Sequence, residues 1–254
     1  MMREPMDASP TDWQAWLQSW EEQQSQPMPR REERFQVIVD AVRAGCGPTP
    51  RVLDLGAGPG SLSLRLVRAI PGASVVAVDR DPVLLELGRH ALAGEERVTF
   101  ADVDLGSPDL VGIGRDFDAA VSTTALHWLR LEPLRQLYRS LAAMLRPGGF
   151  LLDGDRHLSS APELDRLVSE VRRFREPDAE AVDWPSWEAW WRAIEADPAF
   201  AAAFVERRER QHAHPHHQDM PGLADHERAL RDAGFREVGT IWQYLDDRVL
   251  AAVR

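Results

Sequence analysis

The chain of 254 residues contains no lysine, no asparagine and a single cysteine, Cys46. One thiol excludes an internal disulfide and a cysteine-built zinc cluster. Without lysine there is no Schiff-base nucleophile and no phosphate-binding loop ending in Gly-Lys-Ser/Thr. Without asparagine there is no N-glycosylation acceptor and no Cys-His-Asn triad. Positive charge is also short: 30 basic residues face 41 acidic ones, a net charge of −11. Binding a phosphate backbone requires a basic face that releases counterions. Here the arginines are interleaved with acids, as in RREER and RRER, so no nucleic-acid partner is expected. No apolar run approaches the roughly 18 residues of a membrane helix. The opening MMREPMDASPTDW is too polar and acidic for a signal peptide. A cytoplasmic location without a membrane partner is the expectation.

Hydrophobic periodicity organises the rest. Trp13, Trp16, Leu17 and Trp20 form one helical stripe, opened by Ser9-Pro10-Thr11-Asp12. After Pro27 and Pro29, the residues Arg31, Arg34, Phe35, Ile38, Ala41 and Val42 share the face of a second helix, which Gly45 and Gly47 end. Five apolar runs follow: RVLDL (51–55), SVVAVD (74–79), RVTFA (97–101), FDAAVS (117–122) and FLLDGD (150–155). They alternate with helical segments at 61–69, 82–93 and 132–145, the pattern of a parallel sheet. The connection at 103–115 carries little helical signal. GFREVGTIWQYL and DRVLAAVR read as a closing antiparallel hairpin turning at Asp246-Asp247. The expected fold is α/β: a doubly wound, Rossmann-like, seven-stranded sheet of five parallel strands plus the terminal hairpin. Its expected divisions are an N-terminal helical lid (1–45), a cofactor-binding core (46–155), a helical cap insertion (156–225), and a helix and hairpin (226–254) that complete the sheet.

Chemistry gathers at Asp54-Leu55-Gly56-Ala57-Gly58-Pro59-Gly60, which closes the first strand and opens a helix. Asp79 ends the next strand about twenty residues on, where a carboxylate takes ribose hydroxyls. The third glycine comes one residue too early for the dinucleotide G-x-G-x-x-G spacing, and the acid Asp54 repels a pyrophosphate while suiting an ammonium or sulfonium. Asp102, after the third strand, is placed to accept from an adenine amino group.

Together VLDLGAGPG, AVDRDP, FADV, FDAAVSTTALHWL and LRPGGFLL resemble the class I S-adenosylmethionine-dependent methyltransferases over roughly residues 48–155 and the terminal hairpin. The resemblance implies S-adenosylmethionine as cofactor and S-adenosylhomocysteine as product. It implies that Gly56, Ala57, Gly58 and Gly60 admit the methionine part, that Asp79 with Arg80 holds the ribose, that Asp102 with Val103 holds the adenine, and that Thr123 lies near the sulfonium. ALHWL also looks like small-molecule carboxyl methyltransferases of the trans-aconitate type, which carry Gln in place of His127. The base-methylating motif [DNS]-PP-[YFW] is replaced by Ser122-Thr123-Thr124-Ala125, against a flipped-base substrate.

Ligands of open α/β sheets bind beyond the carboxyl ends of the strands, which directs the acceptor to Thr123, Thr124, His127 and Trp128, and to Asp153, Asp155, Arg156 and His157. His127 and His157 are the candidate general bases; a carboxylate acceptor requires neither. Arg31 and Arg34 on an apolar helix face call for anions: the cofactor carboxylate, a substrate acid or a structural ion pair. Trp187, Trp190, Trp191 and Ile194, with Trp184 upstream, repeat the helical stripe and must pack on core, on a partner chain or as a lid over an apolar or aromatic acceptor. His212, His214, His216 and His217 crowd one polar stretch, with Asp219 and His226 beyond; Pro215 breaks any helix there and no helix-borne metal pair results. No metal is expected, and a mobile cap loop is. The reading is a methyltransferase acting on a small molecule at oxygen or carboxylate, as monomer or homodimer. Its rivals are a nicotinamide-dependent oxidoreductase and a cofactor-binding protein of this fold without transfer activity.

Overall fold

The computed structural model describes residues 11–25, 28, 30–107, 110–159, 161–176, 187–213 and 221–254. Two helices come first, α1 (Trp13–Ser25) and α2 (Arg31–Gly45). The alternation follows as β1 (Arg51–Leu55), α3 (Ser61–Ala69), β2 (Ser74–Asp79), α4 (Pro82–Ala91), β3 (Val98–Asp102), β4 (Phe117–Thr123), α5 (Leu131–Met144) and β5 (Leu145–Arg156). Helices α6 (Pro162–Arg175), α7 (Trp187–Glu195) and α8 (Ala201–Ala213) form the insertion. Helix α9 (Leu223–Asp232) and the strands β6 (Glu237–Tyr244) and β7 (Asp247–Val253) close the chain.

The described strands form one sheet in the order β3-β2-β1-β4-β5-β7-β6. The first five are parallel; β7 runs antiparallel to both β5 and β6. The strand order reverses between β1 and β4, and ligands of open α/β sheets bind at such a switch point. The strand runs β1 and β2 are bounded as the sequence indicates. β5 is longer than its apolar run because its pairing with β4 already begins at Leu145. The 103–115 connection carries one short 3-10 turn at Val111–Ile113.

Two apolar layers sandwich the sheet. One gathers α1, α2, α3, α4, α7 and the Phe200–Phe204 region around Val52, Ala77, Val121, Leu152 and Val249. The other places α5 and α9 against Leu53, Leu55, Ala120, Leu151 and Leu250. Alternate residues of β5 therefore face opposite layers: Leu152 and Gly154 face α2, and Leu151 belongs with α5 and α9. The tryptophans take the first of the three options the sequence left. Trp20 meets Trp190 at 5.0 Å, and Trp190 meets Trp191 at 5.1 Å, both edge-on. Trp190 donates from Nε1 to Ser19 Oγ at 3.0 Å, and Trp16 from Nε1 to Asp197 at 2.9 Å. The stripe of α7 thus joins the core with α1 over the end of the glycine turn. Trp184 and the stretch His214–His217 with Asp219 lie outside the described residues.

Candidate active site

The glycine turn is forced by its neighbours. Gly56 has φ +64°, and a Cβ there would stand 2.3 Å from the Cβ of Ala125, in the loop after β4. That close approach brings the β1 and β4 loops together at the switch point. Gly58, at φ +54°, donates its N–H to Asp79 Oδ2 at 2.8 Å, and Asp81 donates its own to Oδ1 at 2.8 Å. A carboxylate offers about four acceptor sites, so capacity remains for a ribose hydroxyl. A Cβ on Gly58 would just touch Trp20, at 3.7 Å, and Leu84, at 3.8 Å, so α1 and α4 close over the turn. Ala57 ties the turn to β2 by donating to Val78 O at 2.9 Å, and Gly60 caps α3.

The acids differ in what holds them. Asp54 is buried and accepts the Ser63 hydroxyl at 2.6 Å, fastening β1 to α3; burial pushes its carboxyl up to about 7. Burial also pushes Asp79 up to about 6, against the hydrogen bonds from Asp81 and Gly58. Asp102 is gripped by Arg210 of α8, Nη1 to Oδ1 at 2.8 Å, and the same guanidinium donates to Arg80 O at 2.6 Å. Arg207 of α8 reaches Asp81 at 2.6 Å. The insertion is therefore pinned along the β2 and β3 ends. Arg80 itself lies 3.4 Å from Asp104, and Val103 donates to Asp79 O at 2.8 Å.

On the acceptor side, Thr123 ends β4 and Thr124 follows at φ +50°. A β-branched residue in the left-handed region is strained, and such strain clusters at functional sites. It is fixed here by Thr124 N–H donating to Gly154 O at 3.0 Å. The turn at Leu126–Trp128 then points His127 at Asp155, with Nδ1 2.8 Å from Oδ2. His127 is about one-quarter exposed and Asp155 is buried. Burial pulls the imidazole down, but the Asp155 charge and hydrogen bond outweigh it, and the net pKa lies above 6.5. Asp155, although buried, is held below the ordinary carboxylate range by His127. An ionised carboxylate only accepts, so Nδ1 carries the proton and Nε2 is the free base. Trp128, beside the imidazole with ring centres 5.0 Å apart, is 60% exposed.

His157 departs from the expectation of a base in an open loop. It is 1% exposed and packs edge-on against His226 of α9 at 4.7 Å. Asp153 faces it, in the α5 and α9 layer rather than at the acceptor mouth. His226 is likewise core, bonded through Nδ1 to the Tyr138 hydroxyl at 2.7 Å. The anions that Arg31 and Arg34 called for come from the chain itself: Glu21 at 2.7 Å and Asp247 at 2.7 Å. Three residues escaped the sequence reading. Asp155 as partner of His127 had only its place at a strand end as signal. Arg210 and Tyr138 had none, because each meets its partner across many intervening residues.

A switch-point glycine turn, a carboxylate ending β2 and a terminal antiparallel hairpin make a nucleotide-type α/β site. Residues 52–149 match the methyltransferase domain family. Through that segment the chain is similar to methyltransferases. It is similar to a demethylmenaquinone methyltransferase of Clavibacter sepedonicus, 35% identical over 162 residues, covering 56% of this chain and 64% of that protein. An uncharacterized methyltransferase of Mycobacterium bovis is 39% identical over 102 residues, 40% of this chain and 37% of that one. The chain thus spans less than two thirds of these relatives. Among solved structures, the methyltransferase SibL shares the fold at TM-score 0.55 and 22% identity, over 94% of this chain and 56% of that one. Human N-acetylserotonin methyltransferase does so at TM-score 0.52 and 16% identity, over 94% and 62%. No described helix is long and apolar enough to cross a membrane.

Proposed function

We propose that the protein transfers a methyl group from S-adenosylmethionine to a hydroxyl of a small-molecule acceptor. When bound, the cofactor supplies a methyl already activated on a sulfonium. Asp79, whose carboxylate has acceptor capacity left beyond the backbone bonds that hold it, is the ribose holder. The glycine turn beside it, with Gly56, Gly58 and Gly60 at positive φ, is the part that takes the methionine end. The chain's own work is then orientation and proton handling.

The observation that carries the hydroxyl reading is the His127–Asp155 pair at 2.8 Å. A carboxylate acceptor is ionised at neutral pH and needs no base, whereas a hydroxyl must lose its proton as the new bond forms. Asp155 holds Nδ1–H, leaves Nε2 unprotonated and stabilises the imidazolium that results. The exposed Trp128 beside it offers an aromatic wall for a planar acceptor. Thr123 and the strained Thr124 shape the loop between the two ligands.

A screen of labelled S-adenosylmethionine against phenols, alcohols and carboxylic acids tests this. The expected result is methylation of hydroxyl acceptors that collapses in His127→Gln. Methylation confined to carboxylic acids and indifferent to His127→Gln would overturn it.

A further inference from the structure

Asp153 presents a problem that the methyl-transfer site does not solve. It is fully buried, and neither carboxylate oxygen has a hydrogen-bond partner among the described residues. A buried carboxyl group without a hydrogen-bond partner is costly whether ionised or neutral. Two imidazole nitrogens stand near the same oxygen without bonding to it. His157 Nε2 and His226 Nδ1 each lie 3.7 Å from Asp153 Oδ2. His157 Nε2 also lacks a partner. The three donor atoms all lie within 4.8 Å of one another, on residues 0%, 1% and 2% exposed.

The two 3.7 Å distances are too long for hydrogen bonds and close to those between ligands of one ion, while the remaining edge, within 4.8 Å, would shorten on binding. Tetrahedral zinc, with bonds of about 2.0–2.2 Å, sets its ligand atoms about 3.4 Å apart. The two 3.7 Å edges stand only slightly outside that. Two imidazoles and a carboxylate are a donor set for zinc or another divalent transition ion. The hydroxyl of Tyr138, 2.7 Å from His226 Nδ1, is the nearest further oxygen. A metal at Nδ1 would break that hydrogen bond, and the hydroxyl would have to draw back from Nδ1 to fill the fourth position.

We infer that Asp153, His157 and His226 form a buried site for one divalent transition-metal ion, zinc being the first choice. Its place in the chain suggests its purpose. His157 stands where the chain leaves β5 for the α6–α8 insertion, and His226 stands where it returns in α9. Leu223 N–H donating to Leu158 O at 2.9 Å already joins the two ends. The ion clamps that base and so fixes the insertion whose α8 arginines reach Asp81 and Asp102. It also fixes the strand two residues before Asp155. The site is structural, closed from solvent by the described residues, and departs from the sequence expectation of no metal.

The test is metal analysis by mass spectrometry of untagged, full-length protein after exhaustive dialysis. About one ion per chain is expected, absent from Asp153→Asn and His226→Gln. It should persist in a variant with His214, His216 and His217 replaced by Gln, which controls for that His-rich stretch. Where a ligand variant fails to fold, chelator-treated wild-type protein answers instead. Adding zinc should raise its Tm and protect the insertion from protease, and cobalt should give the visible bands of a tetrahedral centre. An ion lost with the His-rich stretch but kept in Asp153→Asn would overturn the proposal. So would chelated protein that shows neither a Tm shift nor a cobalt spectrum.

Discussion

The Asp155 carboxylate lies 2.8 Å from His127 Nδ1, joining the strand β5 to the loop that follows β4. Neither residue is useful alone. His127 without the carboxylate has no fixed tautomer, and Asp155 without the imidazole is a buried charge. On this pairing, His127→Gln should lower kcat about 10²–10⁴-fold while leaving cofactor affinity unchanged. Steady-state kinetics with a hydroxyl acceptor, beside a binding titration, checks both. A loss of cofactor affinity equal to the loss of rate would move His127 into the cofactor site.

The pH profile follows with its sign. The Asp155 charge and hydrogen bond outweigh burial and raise the His127 pKa above 6.5. The base is therefore protonated and idle at low pH, and kcat/KM should rise with pH through a pKa above 6.5. In Asp155→Asn that limb should move to lower pH as the rate falls. An unmoved limb would assign the titration to another group.

Cofactor binding should expel protons. Burial holds Asp54 up at about 7 and Asp79 up at about 6. The positive sulfonium and ammonium of S-adenosylmethionine favour the ionised carboxylates. Calorimetry near pH 6 in buffers of different ionisation enthalpy should show net proton release, fading above pH 8. S-adenosylhomocysteine, which lacks the sulfonium, should release less.

The pair of Arg34 and Asp247 fastens α2 to β7 in the interior, at 2.7 Å with side chains 0% and 8% exposed. Removing one partner leaves a buried charge, so Arg34→Met should cost about 3–5 kcal/mol in denaturant unfolding. The double variant Arg34→Met with Asp247→Leu should recover most of that. Equal loss in the single and double variants would show that packing, not charge, dominates there.

Acid should weaken the attachment of α1. Burial raises Glu21, but Arg31 and Arg65 outweigh it and bring the carboxyl from 4.5 to about 2. The resulting stability is present above pH 4.5 and is lost as pH falls toward 2. Glu21→Gln should flatten the pH dependence of Tm across that window.

The sheet was legible because its signals are local. Alternating apolar runs, the turn at Gly56–Gly60 and the terminal hairpin each lie within a few residues, and the resemblance of those motifs extended them to a cofactor. The burial of Arg31 and Arg34 was also visible, since both sit on the stripe that carries Phe35 and Ile38. What closed them was not: Glu21 lies on another helix and Asp247 at the far end of the chain. His157 was misplaced for a related reason. Reading Arg156-His157 as a loop followed from the end of the apolar run, whereas pairing with β7 carries β5 to Arg156 and turns the imidazole inward. The His127–Asp155 pair required knowing that two strand ends converge, which only the assembled sheet supplies.

The most direct measurement is a calorimetric titration of the protein with S-adenosylmethionine and S-adenosylhomocysteine, with NADH as control and Asp79→Asn as the paired variant. One saturable site for the first two ligands, silence from NADH, and a marked loss of affinity in Asp79→Asn are the predicted outcome. Binding of NADH alone, or unchanged affinity in Asp79→Asn, would contradict the account of this site.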